Sequence, residues 1–355
     1  MSKYVLALIL SIAILVPKSD DYTTLKPSFG FYDGSVDMSE IRSITFSRDA
    51  PVTYDECWYA NLANTVDIVG YRSGNDVIIV GDYIYANPRS TRMFAARNSY
   101  GDPLWSSLNA IGGLELVDTS RVENMTMMFA GTQASELRGI DIWDTSNVKS
   151  FTAMFQGSDN SGDMKLVQLD IGNWDTSSAE NMSHMFYGCG LLTYIPVEDW
   201  DVSNVTTFSH MFADCYSLQN IDISKWETTS VRSFDGFLND CRSLTEIDVS
   251  GLDTGGCEQF SQMFEACVNL ERIIGIENWD VSGASTYAFS EMFHCCYKLD
   301  GLDLSKWVAK PDNVARMFKG CHNLTEIDIS GLEINSDTIT DEMFDECWKL
   351  EETIN

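Results

Sequence analysis

The pair Met-Phe recurs at a nearly fixed interval along most of this 355-residue chain. It stands at Met93-Phe94, Met128-Phe129, Met154-Phe155, Met185-Phe186, Met211-Phe212, Met263-Phe264, Met292-Phe293, Met317-Phe318 and Met343-Phe344, with Phe237-Leu238 in the one missing place. From 128 onward the intervals are 26, 31, 26, 26, 26, 29, 25 and 26, so a 26-residue unit persists and the two long intervals hold insertions. These are placed at Ser158 to Asp163 and around Ser282 to Thr286. A fixed period of this size means coils that bury their apolar faces only against one another. It displaces the usual arithmetic of two or three globular domains for such a length.

Within one unit, Leu218, Ile221 and Ile223 have the spacing of a leucine-rich-repeat strand, with alternate residues pointing inward. The stretch Ser224 to Ser230 supplies turn formers and capping hydroxyls. Val231, Phe234, Phe237 and Leu238 then recur at helical spacing, which predicts a short helix. The expected fold class is an α/β repeat: a leucine-rich-repeat-like solenoid of about ten 26-residue coils, with a parallel β-ladder and short helices. A small N-terminal β cap completes it.

Residues 23–88 do not repeat. Ile41 to Phe46, Thr65 to Tyr71 and Val77 to Tyr85 read as strands, with a hairpin turn at Arg72 to Asp76, and the segment is read as the cap of a solenoid at 89–355. Residues 1–22 carry Lys3 before the apolar run Val5 to Val16, too short to span a bilayer. The run fits a signal peptide, or a docking segment if it is retained. No integral membrane span is expected elsewhere.

The motifs Asn181-Met182-Ser183-His184-Met185-Phe186-Tyr187-Gly188-Cys189, Ile221-Asp222-Ile223-Ser224-Lys225-Trp226 and Trp143-Asp144-Thr145-Ser146-Asn147-Val148 resemble the BspA-type surface-protein repeat over about residues 89–350. The resemblance implies a non-enzymatic extracellular recognition or adhesion protein, bacterial or phage encoded, secreted or held at the cell surface. It would bind a host, cell-surface or other protein ligand through the solenoid surface. The alternative it leaves is a phage virion component, of the tail or receptor-binding kind. The chain departs from the pattern at Thr132 and Ser158, where cysteine is missing, and at Leu252 and Leu332, where tryptophan is replaced.

Columns of like residues carry the rest. Cys189, Cys215, Cys241, Cys267, Cys296, Cys321 and Cys347 form one line, read as buried free thiols because helical faces lie about 8–10 Å apart, beyond bridging reach. Trp143, Trp174, Trp200, Trp226, Trp279 and Trp307 form another, read as core because leucine can replace them. His184 and His210, one coil apart, read as surface, and no metal site is expected.

With 53 acidic against 23 basic side chains the net charge is −30, which argues against nucleic acid as a partner. Asp170, Asp222, Asp248, Asp303 and Asp328 lie between inward residues and should face out as an acidic strand face. Two readings stand side by side for them: turn-capping surface carboxylates, or a ligand-binding site for a basic protein segment. No cofactor is expected beyond weak Ca2+ binding, since carboxylates suit that ion but no EF-hand loop is present. Catalysis should interrupt a repeat with unlike acid and base groups, and here the carboxylates keep its period. A polysaccharide-active solenoid enzyme is therefore the remote alternative and no catalytic residue is assigned.

Overall fold

Successive units stack in register, joined by main-chain hydrogen bonds on the Met-Phe side of each coil. The computed structural model describes residues 36–61, 67–96, 104–157, 164–285 and 287–350. Parallel bridges link Arg89 to Asn124, then in turn Ser150, Asn181, Thr207, Ser233 and Gln259, one residue from each coil. Along this arm alternate amides donate to the next coil: Met125 to the Ser150 carbonyl (2.9 Å), Met127 to Thr152 (2.9 Å), Phe129 to Met154 (2.9 Å) and Gly131 to Gln156 (2.7 Å).

The intervening amides turn back on their own coil, Met128 to the Met125 carbonyl and Thr132 to Phe129. The third residues of these turns, Met127 and Gly131, have φ of 56° and 70°. That is the signature of consecutive type II turns, not of a helix. The expected short helices are thus absent, and among the described residues α-helix occurs only at 348–350. The first left-handed place recurs at Ala153, His184, His210, Gly236, Gln262, Glu291, Arg316 and Glu342; the second recurs at Gly188, Asp214, Asp240, Ala266, Cys295, Gly320 and Glu346.

At Gly188 an added Cβ would approach the Cα of Gly157 to 3.3 Å. We expect Gly188→Ala to lower stability by about 1–2 kcal/mol from the left-handed conformation alone. Gly188→Asn should cost less, because Asp214 and Asp240 already occupy the column and short polar side chains tolerate this region. Urea midpoints of the two variants check the order.

The expected parallel β-ladder of the opposite arm is the less regular one. Strands form there only in pairs: β5 (Ile84–Tyr85) with β7 (Val117–Asp118), β8 (Glu246–Asp248) with β9 (Arg272–Ile274), and β10 (Gly301–Asp303) with β11 (Glu326–Asp328). Before the repeats lies a five-stranded sheet ordered β2-β3-β4-β1-β6, from β1 (Ser43–Ser47), β2 (Glu56–Tyr59), β3 (Val69–Ser73), β4 (Asp76–Val80) and β6 (Ala110–Gly112). The hairpin between β3 and β4 turns at Gly74 (φ 61°). β6 comes from beyond residue 88 and pairs parallel with β1, so this sheet and the first Met-Phe unit interleave.

In-register stacking places like residues on like. Phe94, Phe129, Phe155, Phe186 and Phe212 follow one another with ring centroids 5.3–5.7 Å apart, and the line resumes at Phe264, Phe293, Phe318 and Phe344 after Leu238 interrupts it. The tryptophan column is buried as expected, and each indole N–H donates to a carbonyl of the preceding coil, as Trp174 does to Ile140 (2.7 Å) and Trp226 to Val197 (3.0 Å). Buried Thr145, Thr176, Thr228 and Thr254 hold the next coil in the same way, donating to the carbonyls of Asp175, Asp201, Asp253 and Asp280 (2.8–2.9 Å).

All ten cysteines are free, and the seven of the column are fully buried. The reason differs from the expected separation of helical faces, since turns rather than helices carry the column. Each thiol instead donates to the carbonyl of the Phe-slot residue one coil back, from Cys189 to Phe155 (3.2 Å) through Cys347 to Phe318 (3.1 Å).

Candidate functional site

The strand arm turns its inward residues to the core and every residue between them to the outside. The inward slots hold only Leu, Ile or Val in the typical coil, as at Leu244, Ile247 and Val249. The outward slot just before the middle one reads Gln168, Tyr194, Asn220, Glu246, Arg272, Gly301 and Glu326 from coil to coil. A constant framework therefore carries a varied exterior.

Asp170, Asp222, Asp248, Asp303 and Asp328 all lie on this exterior and are exposed. The structure does not gather them into one continuous ladder. Pro196 and Ile274 occupy the same slot in two intervening coils, which leaves Asp170 apart and makes pairs of Asp222 with Asp248 and of Asp303 with Asp328. The last two are register partners in β10 and β11.

Asp222, Asp248, Asp303 and Asp328 each accept the amide of the serine two residues on, at 2.9–3.0 Å. The hydroxyl and amide of Ser224 hold the Asp222 carboxyl below its ordinary range, and those of Ser305 and Ser330 do the same for Asp303 and Asp328. These are Asx turns, so the turn-capping reading is realised in the geometry. It leaves the carboxylates exposed and outward. Among the described residues no three His, Cys, Asp or Glu side chains converge as metal ligands would.

A further line of carboxylates follows the tryptophan slot and also caps turns: Asp144, Asp175, Asp201, Asp253 and Asp280 accept the amide two residues on. His184 and His210 stack with centroids 5.1 Å apart, and Nδ1 of His210 lies 3.7 Å from Asp235.

A groove of about 670 Å3 lies on this face over β9, β10 and β11. Its middle lies at Gly301, and Ile274 stands exposed (43%) at one side. Here the coils are bonded on the Met-Phe side, where Phe264 donates to Met292 and Ala266 to His294, while no ladder joins β9 to β10. Ile273 and Ile276 are three apart where Ile247 and Val249 are two apart, and Gly275 (φ 88°) absorbs the difference ahead of a 3-10 turn at Ile276–Asn278.

Part of the long interval is therefore Gly275 rather than the expected Ser282 to Thr286. Thr286 and the other insertion, Ser158 to Asp163, lie outside the described residues. Gly301 and Ile274 were not among the residues singled out from sequence. The available signal was the single glycine in a column otherwise filled by larger side chains.

The family described as "Mycoplasma protein of unknown function, DUF285" matches residues 92–194, 160–272 and 241–355, which together span most of the chain. The chain belongs to the DUF285 family. Three overlapping matches to one DUF285 pattern are what a run of equivalent coils should give, and they begin at the first stacked Met-Phe unit. No curated protein matches the chain. Among solved structures it is similar to a leucine-rich repeat protein from Bacteroides ovatus (15% identity, 80% of this chain and 72% of that one, TM-score 0.28). It is also similar to a leucine-rich cell surface protein from Faecalibacterium prausnitzii (12% identity, 94% and 90% covered, TM-score 0.25). Likenesses this loose carry neither geometry nor function into the DUF285 chain. Among the described residues no helix is long and apolar enough to cross a membrane.

Proposed function

We propose that this DUF285 protein is a BspA-type solenoid that acts as a non-enzymatic recognition or adhesion protein, secreted or displayed at a cell surface, and that it binds a protein or cell-surface ligand through its strand face. Residues 89–355 form the solenoid in this reading, 23–88 its cap, and 1–22 the export signal. The supporting observation is the contrast within each coil: inward slots repeat, while the outward slot changes from Gln168 to Tyr194, Asn220, Glu246, Arg272, Gly301 and Glu326. Rigid scaffolds that vary only their exterior are suited to recognition. Exposed Asp222, Asp248, Asp303 and Asp328 favour a basic ligand by charge complementarity. The reading needs no cofactor, and calcium would be held at most weakly at the carboxylate pairs.

The test is a variant with all five residues Asp170, Asp222, Asp248, Asp303 and Asp328 changed to asparagine, which keeps a turn-capping oxygen. Binding of the purified protein to host-cell surfaces and matrix proteins should fall about tenfold or more with melting little changed. Equal binding by the variant and the parent would refute the acidic face. The amino terminus of protein taken from its native source separates the two routes: loss of residues 1–22 supports export, and retention on a particle favours the virion alternative.

A further inference from the structure

The geometry points to the groove over Gly301 as the place where the strand face takes its ligand, and to an extended protein segment with Lys or Arg beside an apolar residue as the occupant. This deepens the proposed recognition role and rests on it. The first argument is the glycine. Its φ lies outside the left-handed region, so the backbone does not demand it, and an added Cβ would sit 3.1 Å from Cγ of Glu326. Every equivalent coil from 168 to 326 has a side chain there, up to Tyr194 and Arg272 in size. A strand glycine without a conformational reason marks close approach by another group.

The second argument is the pair of unpaired strand edges. No ladder joins β9 to β10 on this face, while the coils stay bonded behind it. Facing strand edges without a shared ladder present main-chain groups suited to an extended chain. The third is charge. Glu271, Asp300, Asp303, Glu326 and Asp328 line the groove, and its one lining cation, Arg272, is already paired with Glu246. Ile274 breaks the acidic column at this point and offers an apolar contact that a cation alone would not use.

The experiment measures fluorescence anisotropy of a labelled peptide of alternating lysine and valine with the full chain. Controls are peptides with serine for valine and with glutamate for lysine. Gly301→Gln, which fills the groove without adding charge, should weaken binding about tenfold, and the pair Asp303→Asn with Asp328→Asn should do as much. Ile274→Thr should remove the preference for valine over serine. Asp175→Asn with Asp201→Asn, on the acidic line that follows the tryptophan slot and outside the groove, should change little, and thermal melting confirms that each variant is folded.

Binding that survives Gly301→Gln undiminished, or no binding to the parent chain, overturns the groove. If Asp222→Asn with Asp248→Asn abolishes binding while Gly301→Gln is silent, the groove falls but the acidic strand face stands. The five-asparagine comparison on cell surfaces decides the broader role separately.

Discussion

Raising the pH above about 9 will unfold this protein with unusual steepness, because folding holds a line of thiols in their neutral form. Burial pushes the Cys267 thiol up to about 12, and pushes Cys189, Cys215, Cys241, Cys296 and Cys321 well above the ordinary value of 9.0. A thiol whose folded value is raised contributes fully to stability below its unfolded value. That contribution is lost as pH climbs from the unfolded value toward the folded one. Each thiol then removes about 1.4 kcal/mol per pH unit, so six acting together remove about 8 kcal/mol per unit. That is comparable to the whole stability of a typical domain.

The measurement is the melting temperature from pH 7 to pH 10.5, and the control is built from the chain itself. Thr132 occupies the cysteine slot in an early coil and is buried there. The triple variant Cys215→Thr, Cys241→Thr and Cys267→Thr should therefore fold and show a pH dependence shallower by about three protons. Superimposable curves would mean that the column does not govern alkaline unfolding. In the native state a thiol reagent should reach exposed Cys57 and then half-buried Cys295 well before any of the column.

The same columns show what the sequence could and could not disclose. Inward positions such as Leu218, Ile221 and Trp226 are legible because in-register stacking turns one apolar slot into a periodic signal. The Met-Phe arm misleads because type II turns four residues apart place Phe234, Phe237 and Leu238 inward at the same offsets as a helix. What distinguishes the two is left-handed backbone. Gly131, Gly188, Gly236 and Gly320, with Asp214 and Asp240, stand at those places and were a usable signal. The acidic residues were found one by one, but their division into pairs depends on Pro196 and Ile274. The groove depends on a missing side chain at Gly301, which periodicity averages away. β6 was hidden because its partner β1 lies far back in the chain.

Replacing Trp226 by alanine should cost about 3–5 kcal/mol, the range for removing a fully buried large side chain. Trp226 is 1% exposed, stacks on Phe208 at 4.9 Å and donates to the Val197 carbonyl. Alanine leaves a cavity between coils and an unpaired buried acceptor. Trp226→Leu should recover most of the loss, since Leu252 and Leu332 fill this slot elsewhere with little exposure. A repeat array transmits stability only between neighbours, so the damage should be local. Hydrogen exchange of Trp226→Ala should accelerate around Val197 to Leu252 while the cap and final coils keep their protection, and unfolding should separate into two steps. If leucine proves as damaging as alanine, the indole hydrogen bond rather than filled volume holds these coils together. A uniform loss of protection along the chain would instead mean that the stack unfolds as one body.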